Sequence, residues 1–462
     1  MKDTTRYDVI VIGSGISGLT CACRLQEAGR RVLVLEKAPR FGGAIRSARE
    51  GEWLIEAGPN STLETTPLLT ALIRDAGVEN KKLYASDASK NRYILRDGTL
   101  RPLPMSPPAF LATKLFSTGA KLALFAEPFR RPSPPDAKET VSEFVRRRLG
   151  QEFLDYAINP FVAGVYAGDP DLLSVRAAFP KLFALEQKYG SLIKGQIRGA
   201  KERKRSGETE KQTARMFSFV DGMQTLTDAL AAQLPQKLHS VEVHDMRPIT
   251  DDSGARWQVS AQHAGEEKSF TAATLILATP AAAAGRLSTG FAPQLASTLG
   301  GIPYPAVAEV ITGFAPSGDM HPLDGFGFLV PKVENRRILG TIFSSTIFSH
   351  RAPAGHVHLT TFIGGMRQPE EALKSEDDIL RTALEEQRAL LGTSMTPAFH
   401  YVTAWKHAIP QYVEGHLDRM AEVDAVEAAH PGLHYCANYR GGISVGDCVK
   451  SAHAVVEKIL GD

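Results

Sequence analysis

The feature that most constrains this chain is a glycine-punctuated turn near its start. Residues 9–18 read Val-Ile-Val-Ile-Gly-Ser-Gly-Ile-Ser-Gly, and residues 31–36 read Arg-Val-Leu-Val-Leu-Glu. An apolar run, a glycine turn, a helix-forming stretch and a second apolar run ending in an acid predict a strand–turn–helix–strand unit that binds a dinucleotide. Gly13 permits the tight turn. Gly15 places no side chain between the backbone and a pyrophosphate, and Gly18 lets the helix lie close on the strand. Ile16 and Ser17 open the helix, whose free N–H groups and positive dipole end attract phosphate. Glu36, followed by Lys37, stands where a carboxylate accepts hydrogen bonds from both hydroxyls of a ribose.

The next residues say which dinucleotide. Arg40-Phe-Gly42-Gly43-Ala-Ile-Arg46-Ser47 follows directly. A glycine pair with Arg and Ser just after the acidic strand brings backbone and a guanidinium to a pyrophosphate and flavin, where an NAD domain would run on into another crossover helix. The cofactor expected is FAD, bound without a covalent link. The stretch Gly58-Pro59-Asn60-Ser61 reads as a loop near the flavin, Val243 as a strand-end residue at the adenine, and Thr279 as the end of a buried strand. Trp405 is also placed at the cofactor. Near the C-terminal end, Gly442-Ile443-Ser444-Val445 feeds a helix N-terminus. That is a second anion site, suited to negative charge on a reduced flavin.

Bulk properties narrow the alternatives. A chain of 462 residues accommodates two or three domains, and 43% hydrophobic with 23% charged residues is the composition of a soluble globular protein. A net charge of +2 argues against nucleic-acid binding. Cys21, Cys23, Cys436 and Cys448 form neither a disulfide framework nor a CxxC site and read as buried thiols in a reducing compartment. The histidines show no metal-ligand spacing, so no metal is expected. No apolar run reaches the length of a spanning helix, and the first strand starts too early for a leader before it. The location expected is cytoplasmic, peripheral on a membrane.

Farther along, residues 91–104 read as a hairpin turning at Arg96-Asp97-Gly98-Thr99. Residues 109–126 read as one helix with Leu111, Leu115, Leu122 and Phe125 on a single stripe flanked by Lys114 and Lys121. This stripe is either core packing or an interfacial face in lipid. Thr140 and Glu143 make a capping box, and a second helix is expected to break at Asn159-Pro160. The charged run 198–208 reads as a solvated loop. Helix is expected over 376–391. The fold class is α/β. A discontinuous Rossmann-type FAD domain (1–65, 215–295, 425–462) carries an α+β substrate domain (66–92, 296–424) and a helical membrane-associated domain (93–214).

Several stretches resemble the oxygen-dependent protoporphyrinogen oxidases. The densest is Asn159-Pro-Phe-Val-Ala-Gly164-Val-Tyr-Ala-Gly168-Asp-Pro170. Others are Ser218-Phe-Val-Asp-Gly222-Met-Gln-Thr-Leu226, Gly325-Phe-Gly-Phe-Leu329-Val-Pro331, Gly340-Thr-Ile342-Phe-Ser-Ser345, Thr360-Thr-Phe362-Ile-Gly-Gly365 and Tyr439-Arg-Gly-Gly-Ile-Ser-Val-Gly446. The resemblance runs the whole length, in order. It implies an FAD enzyme that oxidises a porphyrinogen with O2 in three two-electron rounds, releasing H2O2. It places Arg92 at a substrate propionate, and Leu329, Ile342 and Phe362 around the macrocycle. Gly168, or a near neighbour, contributes the backbone facing the pyrrole N–H groups. It also implies inhibition by diphenyl ethers and a homodimer. Ile342 stands where leucine is often seen, Asp221 replaces a glycine, and Phe328 is larger than usual. Flavin is the reactive centre, and no catalytic side chain is assigned. Coproporphyrinogen III as substrate, or the activity of another FAD amine oxidase or desaturase, stays open.

Overall fold

The computed structural model describes residues 5–206, 214–250, 256–315 and 320–461. Its first sheet has a parallel core, in the order Lys237–Leu238, Val32–Leu35, Thr5–Ile12, Glu266–Leu277, with Leu433–Tyr435 also parallel to Glu266–Leu277. Trp257–His263 and Val241–Pro248 extend it antiparallel. Where the central strands run side by side, residues 9–12, 32–35 and 275–277 are all apolar because both faces are covered. Val9, Val11, Val34 and Ile276 pack under helices Ile16–Glu27, Gln224–Gln233 and Val445–Gly461. Ile10, Ile12, Leu33 and Leu35 pack under Ala281–Leu287, Gln294–Gly300 and His416–Ala429. The four cysteines are free and buried, and Cys21 Sγ lies 3.8 Å from Cys436 Sγ.

A second sheet runs in the order Phe399–Trp405, Val307–Phe314, Val357–Gly364, Ile338–Ile342, Gly327–Leu329, Tyr93–Arg96, Thr99–Pro102. One face carries Ala308, Val310, Phe328, Leu359 and Ile363 against helix Glu376–Leu391, the helix expected from sequence. The other face carries Gly313 against Trp53, and Val307 and Phe362 against Ala163 and Ala167. The hairpin Tyr93–Pro102 pairs with Gly327–Leu329 and is built into this sheet, whereas sequence reading grouped it with the helices. Helix His416–Ala429 runs through the boundary expected at 424 and lends Val423 and Val426 to the first sheet's core. Phe328, larger than the residue usual at its position, is 2% exposed in the core on the face away from Leu329.

The helical region corrects three expectations. The helix expected over 109–126 is two helices, Pro107–Ala112 and Thr118–Phe125, each with its own serine N-cap, Ser106 and Ser117. The break moves Leu115 off the stripe. It is 0% exposed among Ile94, Phe116 and Phe153, while Leu111, Leu122 and Phe125 stay exposed. The helix does not stop at Asn159-Pro160. Residues Leu154–Ile158 form a π turn and helix Asn159–Tyr166 continues from it. The wider turn takes the Pro160 ring, which in a regular helix clashes with the carbonyl four residues earlier. The charged run lies partly in helix Leu192–Ser206 rather than in a loop, and its end lies outside the described residues. That helix starts on a buried acceptor: Glu127 takes hydrogen bonds from the Leu192 and Ile193 N–H groups, and Ser191 Oγ–H donates to it. The capping box of Thr140 and Glu143 forms as expected.

Candidate active site

Backbone geometry builds the first part of the site. Gly13 has φ +101°, and a Cβ there would lie 2.5 Å from the Ala278 carbonyl oxygen. A Cβ on Gly18 would lie 2.1 Å from the Gly13 carbonyl oxygen, so strand and helix meet without room for a methyl. A Cβ on Gly15, by contrast, meets nothing within 4 Å. Gly15 is also the N-cap of helix Ile16–Glu27, and no side chain caps its N–H groups. Open space over uncapped helix N–H groups is a place for phosphate. Gly42 N–H donates to the Ser14 carbonyl at 2.9 Å, and a Cβ on Gly43 would come within 2.9 Å of Gly15 Cα. The two glycine motifs therefore lie directly on one another. Arg40 holds the second motif in shape by donating to the carbonyls of Phe41, Gly43 and Ile45. Arg46 is exposed beside it.

Glu36 sits just beyond Val32–Leu35 and accepts from Ser14 N–H, Ser14 Oγ–H and Ala38 N–H. Its carbonyl accepts from Val241 N–H, which brings half-buried Val243 to the same end of the sheet. Lys37 pairs with Glu242 at 2.7 Å. Ser444 Oγ accepts from Asp447 N–H at the start of helix Val445–Gly461, and Gly442 N–H donates to Tyr412 Oη. Ile443 packs against the helical region's core.

The loop carrying Gly58, Pro59, Asn60 and Ser61 is tied to the second sheet by an ion pair that sequence reading missed. Arg351 and Glu56, both 2% exposed, meet at 2.6 Å. Arg351 also donates to the Asn60 carbonyl and Ser218 Oγ. Glu56 accepts from Ser47 Oγ–H and Met223 N–H as well. Burial raises the Glu56 pKa, and the Arg351 charge and these hydrogen bonds act against that rise. A lone arginine far along the chain gives no sequence signal of such a pair.

Cross-strand register gathers the expected substrate residues. Leu329 opposes Gly340, Gly340 opposes Phe362, and one step along Ile342 opposes Gly327 and Thr360. Directly opposed residues share a face, so Leu329, Ile342 and Phe362 all look the same way, and each is half-buried. Ile342 lines a small cavity with Asn60, Ser61 and Phe326. The Arg92 guanidinium lies over the Phe326 ring at 5.4 Å and pairs with no carboxylate among the described residues. Phe362 packs with Ala163 and Ala167, at the end of helix Asn159–Tyr166. Gly168 follows, buried, and a Cβ there would lie 2.8 Å from Gln411 Oε1. A Cβ on Gly164 would lie 2.5 Å from Leu329 Cδ2, so this helix is pressed against the sheet. Arg367 locks the arrangement by donating to Val330 and Asn159, and burial lowers its pKa to about 10.

Polar atoms left over around this cleft mark what it holds. Thr279 Oγ1 and Trp405 Nε1 are buried with no partner among the described residues. Together with the open Gly15 turn, they fit a large polar cofactor lying between the two sheets. Residues 16–460 match the flavin containing amine oxidoreductases, and the chain belongs to that family. It is an FAD-dependent oxidase. Within the family it stands with the protoporphyrinogen oxidases. The mitochondrial protoporphyrinogen oxidase of Nicotiana tabacum is 34% identical over 483 aligned residues, 99% of this chain and 96% of its own. The coproporphyrinogen III oxidase of Bacillus subtilis is 29% identical, covering 100% of this chain and 99% of its own. A crystal structure from Exiguobacterium sp. 255-15 shares the fold at a TM-score of 0.82 and 24% identity, with 100% of both chains covered. Putrescine oxidase bound to putrescine shares it at 0.68 and 14%, covering 99% of this chain and 100% of its own.

Proposed function

We propose that this chain oxidises protoporphyrinogen IX to protoporphyrin IX with O2 as acceptor, the penultimate step of haem or chlorophyll synthesis. The observation that carries this reading is the face shared by Leu329, Ile342 and Phe362, set between the cofactor loop at Asn60–Ser61 and the helix Asn159–Tyr166. An apolar face of branched and aromatic side chains suits a flat macrocycle, whose binding is dominated by dispersion. When bound, FAD supplies the two-electron acceptor for each of three rounds. The chain's own residues bind and orient. Gly15, Gly42 and Gly43 would admit the pyrophosphate, Glu36 would take the ribose, and the Gly442–Val445 helix start would favour negative charge on the flavin. The guanidinium of Arg92 holds a propionate. The backbone at Gly168 faces the pyrrole N–H groups, and the apolar clamp excludes water.

The same reading assigns 1–65, 215–295 and 425–462 to FAD binding, with the second sheet as the substrate part. It also places the protein on a membrane surface. No helix among the described residues is long and apolar enough to cross a membrane. Leu111, Leu122, Phe125 and Phe129 are 59–87% exposed on neighbouring short helices. Lys121 Nζ donates to the Leu111 carbonyl, and Lys194 Nζ lies 6.0 Å from the Phe129 ring centroid. Apolar side chains ringed by lysines suit the headgroup layer.

The Bacillus subtilis relative supports a second reading, coproporphyrinogen III as substrate. Anaerobic mixing of the purified holoprotein with each porphyrinogen tests both. Fast flavin bleaching by protoporphyrinogen supports the first reading and bleaching by coproporphyrinogen alone the second. Bleaching by neither refutes both.

A further inference from the structure

Strand Val307–Phe314 reads Val-Ala-Glu-Val-Ile-Thr-Gly-Phe, with one charged residue in a buried run. That residue, Glu309, is 6% exposed. It opposes Phe362 on one side and Thr403 on the other, so it lies in the same row as Phe362, Gly340 and Leu329 and on the same face. The Gly58 backbone N–H lies close enough to its carboxyl to favour the charged form. Its Oε2 is buried and has no partner among the described residues. An acid is thus wedged between the cofactor loop and the substrate clamp with one oxygen unused, a costly arrangement unless a ligand completes it.

We propose that Glu309 is a hydrogen-bonding partner of the isoalloxazine ring of bound FAD, its free Oε2 meeting the ring beside Phe362. Burial drives the carboxyl pKa well above the usual range, against the Gly58 N–H and with the Glu56 carboxylate adding to the rise. Two further titratable groups of this region are engaged elsewhere. Arg351 is paired with Glu56, and His358, on the same sheet face, is hydrogen-bonded to the Leu54 carbonyl and neutral. Burial therefore favours the protonated acid, which can donate from O–H to a ring nitrogen or carbonyl.

The test compares the full-length protein stripped of FAD with the same protein reloaded, as wild type, Glu309→Gln and Glu309→Asp. Infrared difference spectra report the protonated carboxyl directly. The expected result is a carboxylic-acid band that is absent in Glu309→Gln, displaced in Glu309→Asp, and shifted in wild type when FAD binds. The visible bands of bound flavin should shift between wild type and Glu309→Gln, with FAD affinity changed less than tenfold. Should neither variant fold, the wild-type band shift on FAD loading, followed with carbon-13 glutamate, decides the matter. A band that ignores FAD overturns the proposal, as does the lack of any protonated-carboxyl band.

Discussion

Gly15 and Gly18 should respond in opposite ways to the same added methyl group. A Cβ on Gly18 falls 2.1 Å from the Gly13 carbonyl oxygen, which is backbone and cannot swing aside. Gly18→Ala should therefore destabilise the FAD-free protein by about 1–3 kcal/mol or more, the usual range for forced overpacking. A Cβ on Gly15 meets nothing within 4 Å, and its φ of −64° suits alanine. Gly15→Ala should leave the FAD-free protein as stable as wild type, or more stable by about 0.4–1 kcal/mol through a less flexible unfolded chain. The new methyl would, however, occupy the approach of the pyrophosphate. At about 1–3 kcal/mol of overpacking against the cofactor, FAD should bind about 5–150-fold more weakly. Urea unfolding of the stripped proteins, followed by circular dichroism, measures the first effect. Quenching of flavin fluorescence on titration measures the second. Undiminished FAD affinity in Gly15→Ala would show that the pyrophosphate does not cross this turn.

Phe362→Ala removes one wall of the clamp and should weaken binding of protoporphyrinogen and of a diphenyl ether together by about 1–3 kcal/mol; equilibrium titration of both ligands checks it, and unchanged affinities place the macrocycle elsewhere. Leu115→Asp puts a charge in a dry cluster and should destabilise by at least about 3 kcal/mol, whereas Phe125→Ser should leave the urea midpoint unchanged and reduce flotation with anionic liposomes. His358 is buried and neutral, with burial the main cause of a pKa lowered to about 3. The unfolded chain takes up that proton near pH 6.5 and the folded chain does not, so stability is full above 6.5 and falls as pH drops toward 3, by about 1.4 kcal/mol per pH unit at most. Urea midpoints between pH 7 and 4 should fall less steeply for His358→Gln than for wild type; parallel slopes refute a neutral His358.

What was legible in sequence was local. The nucleotide turn could be read because each glycine answers a backbone demand set by its immediate neighbours. Helix Glu376–Leu391 could be read because its serine cap, acidic first turn and glycine stop sit within the segment. The errors came where a distant residue decides. Helix Leu192–Ser206 is started by Glu127, and charge spacing alone cannot tell such a helix from a loop. Leu115 obeys helical spacing, yet serine caps on either side of it favour two short helices, and the linker drops it inward. Arg351 carried no signal, since its meaning lies in Glu56, 295 positions away. Glu309 did carry one, a lone acid in an apolar strand, but only the pairing with Phe362 shows which face it takes.

The strand Leu433–Tyr435 lies beside Leu275–Leu277, and Cys21 of the first helix touches Ala452 of the last. This seam ties the timing of cofactor loading to synthesis. A ribosome that has made the glycine turn, the acid and the Gly58 loop has made most of the contacts proposed for FAD, yet the chain still lacks the strand and helix that cover Cys21 and Ile276. On the proposed site, loading is expected to wait for translation to finish. A nonsense codon at 430 would then be as damaging as one at 30, leaving an open sheet edge and an uncovered apolar helix for the cell's proteases to find.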